Sequence, residues 1–297
     1  MRFGAIDIGS NAVRLLIADV FEDEDNVRIK KLSLTRVPIR LGSSVFETGE
    51  ISSSKAKKLA KTMKAFRYLL DVYNVKGYKA CATSAMREAS NSDDVIARVK
   101  YYSGVDINII DGSTEADLIF STFKTQKLDP AGKYLYIDVG GGSTEITLLK
   151  EGERVHARSF KVGTVRVLKN SVKPSSWQEM EDWVASITQD EKDLIAIGTG
   201  GNINRLYKIS RLNYGELMGI NELKEMHELI KSLDFNERMI RLNLRSDRAD
   251  VIVPAGEIYC RVMDVAKAEH ISVPKVGLSD GIALYLYREY VKEHPLV

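Results

Sequence analysis

Two stretches end a run of apolar residues in Asp-x-Gly and turn back through small residues: Asp7-Ile8-Gly9-Ser10-Asn11 and Asp138-Val139-Gly140-Gly141-Gly142-Ser143-Thr144. Glycines let backbone N–H groups approach phosphate oxygens with no side chain between them, and an Asp at a strand end can hold a hydrated magnesium ion. A triphosphate-like ligand suits both. A single Asp-x-Gly turn is more often a plain hairpin, so the pairing of the two carries the reading. The three consecutive glycines 140–142 pack nothing and cost backbone entropy, which implies that something approaches that backbone. Gly198-Thr199-Gly200-Gly201-Asn202 lies between a strand pattern and a helix pattern, where helix N-terminal amides favour an anion, although a plain strand-to-helix turn fits the residues equally well.

The elements that must position these turns follow from periodicity. Residues 3–9, 12–20 and 27–35 read as a three-strand meander. From Ser53 the period becomes helical through Leu59, Met63, Phe66, Leu69, Leu70 and Tyr73. A strand at 77–83, a helix from about Asp93 to Tyr102 stopped by Gly104, a strand at 105–110 and a helix from Thr114 to about Phe123 give the order βββαβαβα. At 133–139, 143–152 and 154–162 three strands restart that order. Helical segments at 165–169 and 177–187, strand 193–198, helices to about Ile209 and over 222–232 and 248–269, strand 271–277 and a final helix complete it. The two openings match in letters as well, so an internal duplication is the simplest account.

The chain's 297 residues exceed the usual size of one domain, and 44% hydrophobic with 28% charged residues is ordinary for a globular protein. A net charge of +2 gives no global pull toward nucleic acid or an anionic membrane, so a polyanion site must be local. Neither a signal segment nor an apolar run of membrane-spanning length is apparent. Cys81 and Cys260 stand alone in apolar surroundings and read as buried, reduced thiols of a cytoplasmic protein. The four histidines form no ligand spacing. Tyr68, Tyr73, Tyr101 and Tyr102 read as packing residues, and the lysine-rich stretch 57–67 as a solvated helix face, with a polyanion track as the alternative.

The motifs AIDIGSNAVRLLI, IRLGSSVFETG, CATSAMREASN, IDGSTEADLIF, YIDVGGGSTEI, SFKVGTVRVL, GTGGNINRL and GLSDGIALYL follow one another as in the exopolyphosphatase/guanosine pentaphosphate phosphohydrolase (Ppx/GppA) family, which the chain resembles over nearly its whole length. The resemblance implies two actin-like, ribonuclease-H-like (ASKHA) α/β domains with an interdomain cleft. It also implies magnesium dependence and hydrolysis of a terminal phosphoanhydride of polyphosphate or pppGpp. The expected domains are 1–126 and 127–297, with the final helix, about 283–297, packing back on the first, and a hinge near 124–131.

Position by position, the resemblance places the catalytic carboxylate on Glu115, where it would accept a proton from, or orient, the attacking water. Asp138 and Glu145, with Asp7, become the magnesium ligands. Ser10, Asn11, Arg14, Arg87, Gly140, Gly141, Gly142, Ser143, Thr144, Gly200 and Gly201 become the phosphate contacts. Arg40 and Arg166 are weaker candidates, since Arg166 on a helix fits a solvent-facing or ion-paired role as well.

Thr114, Ser44 and Ser279 depart from the family pattern where a Glu, a Gly and an Arg are usual. Without the helical HD-like module of longer relatives, the expected substrate is short-chain polyphosphate or a guanosine polyphosphate. A non-hydrolytic alarmone sensor and a small-molecule kinase on the same superfold are the alternatives, and a homodimer is allowed.

Overall fold

Three antiparallel strands open each half because alternating apolar residues are broken by turn residues, and crossover helices then add parallel strands to one edge. The computed structural model describes residues 1–23, 26–123, 129 and 131–294. The chain divides into two units, Met1–Lys127 with Val276–Val297, and Leu128–Lys275.

In the first unit the strands are β1 (Arg2–Ile8), β2 (Val13–Asp23), β3 (Asn26–Val37), β4 (Gly77–Ala82) and β5 (Ile107–Ile109). Among the described residues they form one sheet in the order β3-β2-β1-β4-β5, with β4 and β5 parallel to β1. The helices are α1 (Gly42–Thr48), α2 (Ser53–Val72), α3 (Ser84–Glu88), α4 (Ser92–Ser103) and α5 (Gly112–Phe120).

In the second unit come β6 (Lys133–Val139), β7 (Thr144–Lys150), β8 (Glu153–Phe160), α6 (Thr164–Leu168), α7 (Pro174–Thr188), β9 (Ile195–Thr199), α8 (Ile203–Ser210), β10 (Met218–Gly219), α9 (Ile220–Ser232), α10 (Phe235–Arg241), α11 (Ser246–Ala249), α12 (Ile252–Ala266) and β11 (His270–Ser272). Its described strands run β10-β11-β9-β6-β7-β8. This repeats the first sheet and adds β10 beyond β11. The last helix, α13 (Leu278–Glu293), follows β11 as α5 follows β5, yet belongs to the first unit.

Central strand β1 is buried from Phe3 to Ile8 because helices cover both its faces. Successive side chains point to opposite faces. A Cβ on Gly4 would fall on Leu70 of α2, whereas Phe3 meets the Tyr287 and Tyr290 rings of α13 edge-on. The α2 side holds one apolar core with Ile6, Ile8, Leu15, Met63 and Phe66. In the second unit a separate core gathers Leu135, Ile137, Ile146, Ile258 and Tyr259.

The order βββαβαβα is present in both halves, with α1, α3, α10 and β10 as additions that periodicity did not announce. The expected helix over 248–269 is two pieces, α11 and α12, because Pro254 has no N–H to carry a continuous ladder back to Asp250. The final helix begins at Leu278 rather than near 283, since the Asp280 carboxylate accepts the Gly277 N–H at 3.0 Å and starts it there. The expected boundary at 126/127 and most of the expected hinge fall on residues 124–128 and 130, outside the described residues.

A further expectation is corrected. Tyr68, Tyr101 and Tyr102 are 60%, 84% and 57% exposed. α2 buries Leu59, Met63, Phe66 and Leu70 and α4 buries Val95 and Val99, so these tyrosines fall on the outer faces. Cys81 and Cys260 are both free and buried. Among the described residues no helix is long and apolar enough to cross a membrane.

Candidate active site

Most of the first unit's candidates stand where β1, β4 and β5 end, the edge at which open α/β sheets bind ligands. Asp7 is buried and pairs in register with Arg14 on β2 and Cys81 on β4, so the three share one sheet face. Arg14 Nη1 donates to Asp7 Oδ2 at 2.5 Å. Burial pushes the Cys81 thiol up to about 11, and although Lys79 opposes this, the negative charges of Asp7 and Glu115 add to it. The thiol is therefore protonated at neutral pH and is no nucleophile.

The turn after β1 is closed by Gly9 N–H on Ala12 O at 3.1 Å. Ser10 and Ser84 hydroxyls lie 2.9 Å apart, both residues buried, which ties this turn to the start of α3. From the other side, the Arg40 N–H donates to Asn11 O and the Gly42 N–H to Ser10 O, at 2.9 and 2.8 Å. Arg40 holds this brace in the left-handed region, with φ of 60°. Arg87 Nη1 donates to Ile110 O at 2.6 Å, so its guanidinium sits against the end of β5.

Just beyond, Asp111 Oδ1 accepts the Thr114 N–H at 2.7 Å and caps α5. That bond holds the Asp111 carboxyl below its ordinary value, and Arg87 adds to the effect. Glu115 follows at the first turn of α5 and is buried.

In the second unit the glycine run is built from its carbonyls. Gly140 O accepts from Thr164 N–H, Gly141 O from Val165 N–H and Gly142 O from Arg166 Nε, at 3.0, 2.8 and 2.6 Å. Among the described residues no acceptor takes the N–H of Gly141, Gly142 or Ser143. Successive amides without an internal partner make a nest for an anion. Gly163 lets α6 come this close, since a Cβ there would lie 2.5 Å from Gly142 C. Arg166 is thus buried against the glycine run, and its expected solvent-facing role does not apply. Thr144 Oγ1 is turned away, donating to Val162 O at 2.6 Å.

Asp138, half-buried at the end of β6, pairs in register with Glu145 on β7 and Thr199 on β9. Glu145 is buried and accepts from Ser159 Oγ at 2.8 Å. Gly200 follows Thr199 with φ of +100°, and a Cβ on it would come within 3.1 Å of Asp138 Oδ1. Its loop and the carboxylate therefore share one small space with Gly201. Tyr259 OH donates to both Thr199 O and Ile137 O, at 2.6 and 3.2 Å, fixing the spacing of the two strand ends. Burial, and after it the Asp138 charge, drives the Tyr259 hydroxyl well above its ordinary value.

Among the described residues no group of three or more His, Cys, Asp or Glu side chains forms an ion cage. Magnesium rarely needs one, because it keeps several waters and takes one or two carboxylates plus substrate oxygens. Asp138 and Glu145, opposed on one sheet face, fit that pattern. Asp7 is matched by Arg14 instead. Ser84, Asp111 and Gly163 were not anticipated. Ser84 had a legible signal, a small polar residue directly after a strand, as Ser10 is.

Residues 20–289 match the model of the Ppx/GppA phosphatase family. The chain belongs to that family. Exopolyphosphatase 1 of Mycobacterium leprae is 26% identical over 304 residues, covering 96% of this chain and 89% of that protein. A bifunctional 3-dehydroquinate synthase/phosphatase of Fusobacterium nucleatum is 28% identical, covering 91% of this chain and 44% of its own length. Among solved structures, an exopolyphosphatase from Cytophaga hutchinsonii superposes with a TM-score of 0.83 at 24% identity, over 98% of each chain. The Ppx/GppA family member of Aquifex aeolicus gives 0.76 at 24% identity, over 100% and 99%. These likenesses establish the actin-like α/β fold, and membership of the family makes the chain a phosphohydrolase.

Proposed function

We propose that this Ppx/GppA family member is a magnesium-dependent exopolyphosphatase, releasing the terminal phosphate of polyphosphate, with pppGpp as the competing substrate of the same site. The observation that carries the reading is Glu115: a buried carboxylate on the first turn of a capped helix, at the strand ends that also hold Asp7, Arg14 and the Ser10 turn. The exopolyphosphatase names of the relatives favour polyphosphate.

In the proposed reaction a water oxygen bonds to the terminal phosphorus while the bridging P–O bond breaks. Glu115 orients that water and takes its proton, and the electron pair of the broken bond leaves on the shortened chain. In the second unit the amides of Gly141, Gly142 and Ser143 and the Gly200–Gly201 turn would hold phosphate oxygens as charge builds on them, as the Ser10 turn would in the first. Asp138 and Glu145 would hold magnesium, which when bound neutralises phosphate charge. Arg14 keeps Asp7 fixed beneath the first turn, and Arg87 fixes the start of α5.

Phosphate release from polyphosphate and from pppGpp, with and without magnesium, tests this in the wild type and in Glu115→Gln. Loss of about 10²-fold or more in kcat for the variant is expected. Equal rates in the two proteins would remove Glu115 from the mechanism.

A further inference from the structure

α2 carries a charge pattern that its fold does not need. Lys57, Lys61 and Lys64 recur at i, i+4 and i+7 on one face, Lys58 flanks them, and all four are exposed. Like charges at these spacings repel, and exposed helices usually interleave carboxylates to relieve it. α2 has no acid before Asp71, and that one pairs with Arg67. Its first turn has Lys55 and no acid, the unfavourable sign for a helix N-terminus. None of the four exposed lysines has a carboxylate within 4.0 Å among the described residues. In a chain whose net charge is only +2, this is a segregated basic stripe.

The stripe begins at the first phosphate turn. Ser10 and Asn11 carbonyls accept from Gly42 and Arg40, Ser43 N–H bonds Arg40 O at 3.1 Å, and Lys55 Nζ bonds Ser43 Oγ at 2.5 Å. From Lys55 the helix runs away from that turn, and Lys57 to Lys64 extends over about 10 Å at the usual helical rise. From Lys57 to Ala65 the exposed residues are the four lysines and Ala65, and the one exposed ring of the helix among the described residues, Tyr68, follows Lys64 by one turn.

We infer that this face is a docking track for the uncleaved remainder of a long polyphosphate chain, holding the polymer between successive cleavages. The inference rests on the exopolyphosphatase reading and reverses the expectation of a short-chain preference. Four lysines against a single ring suit a polymer whose recurring feature is charge. Each added contact raises the effective concentration of the next terminal phosphate.

The test is the variant Lys57→Gln/Lys61→Gln/Lys64→Gln, with Lys192→Gln/Lys208→Gln/Lys267→Gln removing equal charge from exposed sites of the second unit. Labelled long-chain polyphosphate should bind the first variant at least 10-fold more weakly than wild type, with a shallower salt dependence. KM for long chains should rise in step and partly shortened chains should be released, while tripolyphosphate turnover is unchanged. Unaltered long-chain binding, an equal loss in the second variant, or tighter binding of single-stranded DNA than of polyphosphate to the stripe overturns the inference. A wild type that hydrolyses only pppGpp but binds long chains through these lysines would sink the substrate reading and with it the role between cleavages, leaving only a polyphosphate-binding face.

Discussion

Arg14 Nη1 lies 2.5 Å from Asp7 Oδ2 across the first strand pair, with the Asp7 side chain 5% exposed and that of Arg14 34% exposed. The pair makes a buried carboxylate tolerable at a strand end and leaves part of the guanidinium open to solvent. Removing one partner of a fully buried pair costs several kcal/mol, and exposure of the arginine reduces this. Arg14→Gln should therefore lose about 1–3 kcal/mol in urea unfolding. Asp7→Asn combined with Arg14→Gln should recover part of the loss, and additive losses would refute the coupling.

Asp111 governs the helix that presents Glu115. Its carboxyl is held below the ordinary value by the Thr114 N–H, so the cap is intact above the unfolded value and is lost as pH falls through the folded one. Asp111→Asn retains an acceptor and should keep activity, whereas Asp111→Ala should lower both kcat and the melting temperature. Identical behaviour of the two variants would show that the cap does not position Glu115.

Gly281 sets the distance between α13 and α5. A Cβ at this position would lie 2.1 Å from Leu118 O, so backbone must move to admit it. Gly281→Ala should cost about 1–3 kcal/mol through overpacking and displace the α5 that carries Glu115, lowering kcat more than it raises KM. Calorimetry and steady-state kinetics together check this.

Glu191 ties the outer ends of β6 and β7 by pairing with Lys150 and Lys133. These partners, Lys150 first, hold its carboxyl below the ordinary value. The stability it contributes is complete above the unfolded value, near 4.5, and disappears as pH falls through the folded value. Glu191→Gln should thus be less stable than wild type at pH 7 by about 0.5–1 kcal/mol, allowing for the solvent that reaches both lysines. The gap should narrow as pH falls below 4.5 and close once pH is below the folded value.

Much of the fold was legible because period-2 and period-3.6 patterns are strong wherever one face is buried. β6, over Lys133–Val139, coincides with the expected strand, and Gly104 ends α4 with φ of 68° as a helix stop should. The short elements were not legible. α3 is five residues long and is set by Ser84 meeting Ser10, a contact between residues 74 apart. The identity of the loops in the site was readable from their glycines, but their mode of support was not. Arg166 clamps the Gly142 carbonyl from a helix whose own sequence is equally suited to solvent. The exposed tyrosines were misjudged because spacing alone does not tell which face of a helix the sheet will cover.

The return of α13 to the first unit has a consequence for the order in which the protein is made. Phe3 on β1 is covered by Tyr287 and Tyr290, which are synthesised last, after all of Leu128–Lys275. One face of the first sheet thus stays bare on the ribosome while the second unit is completed. The earliest residues to emerge are therefore among the last to be sealed.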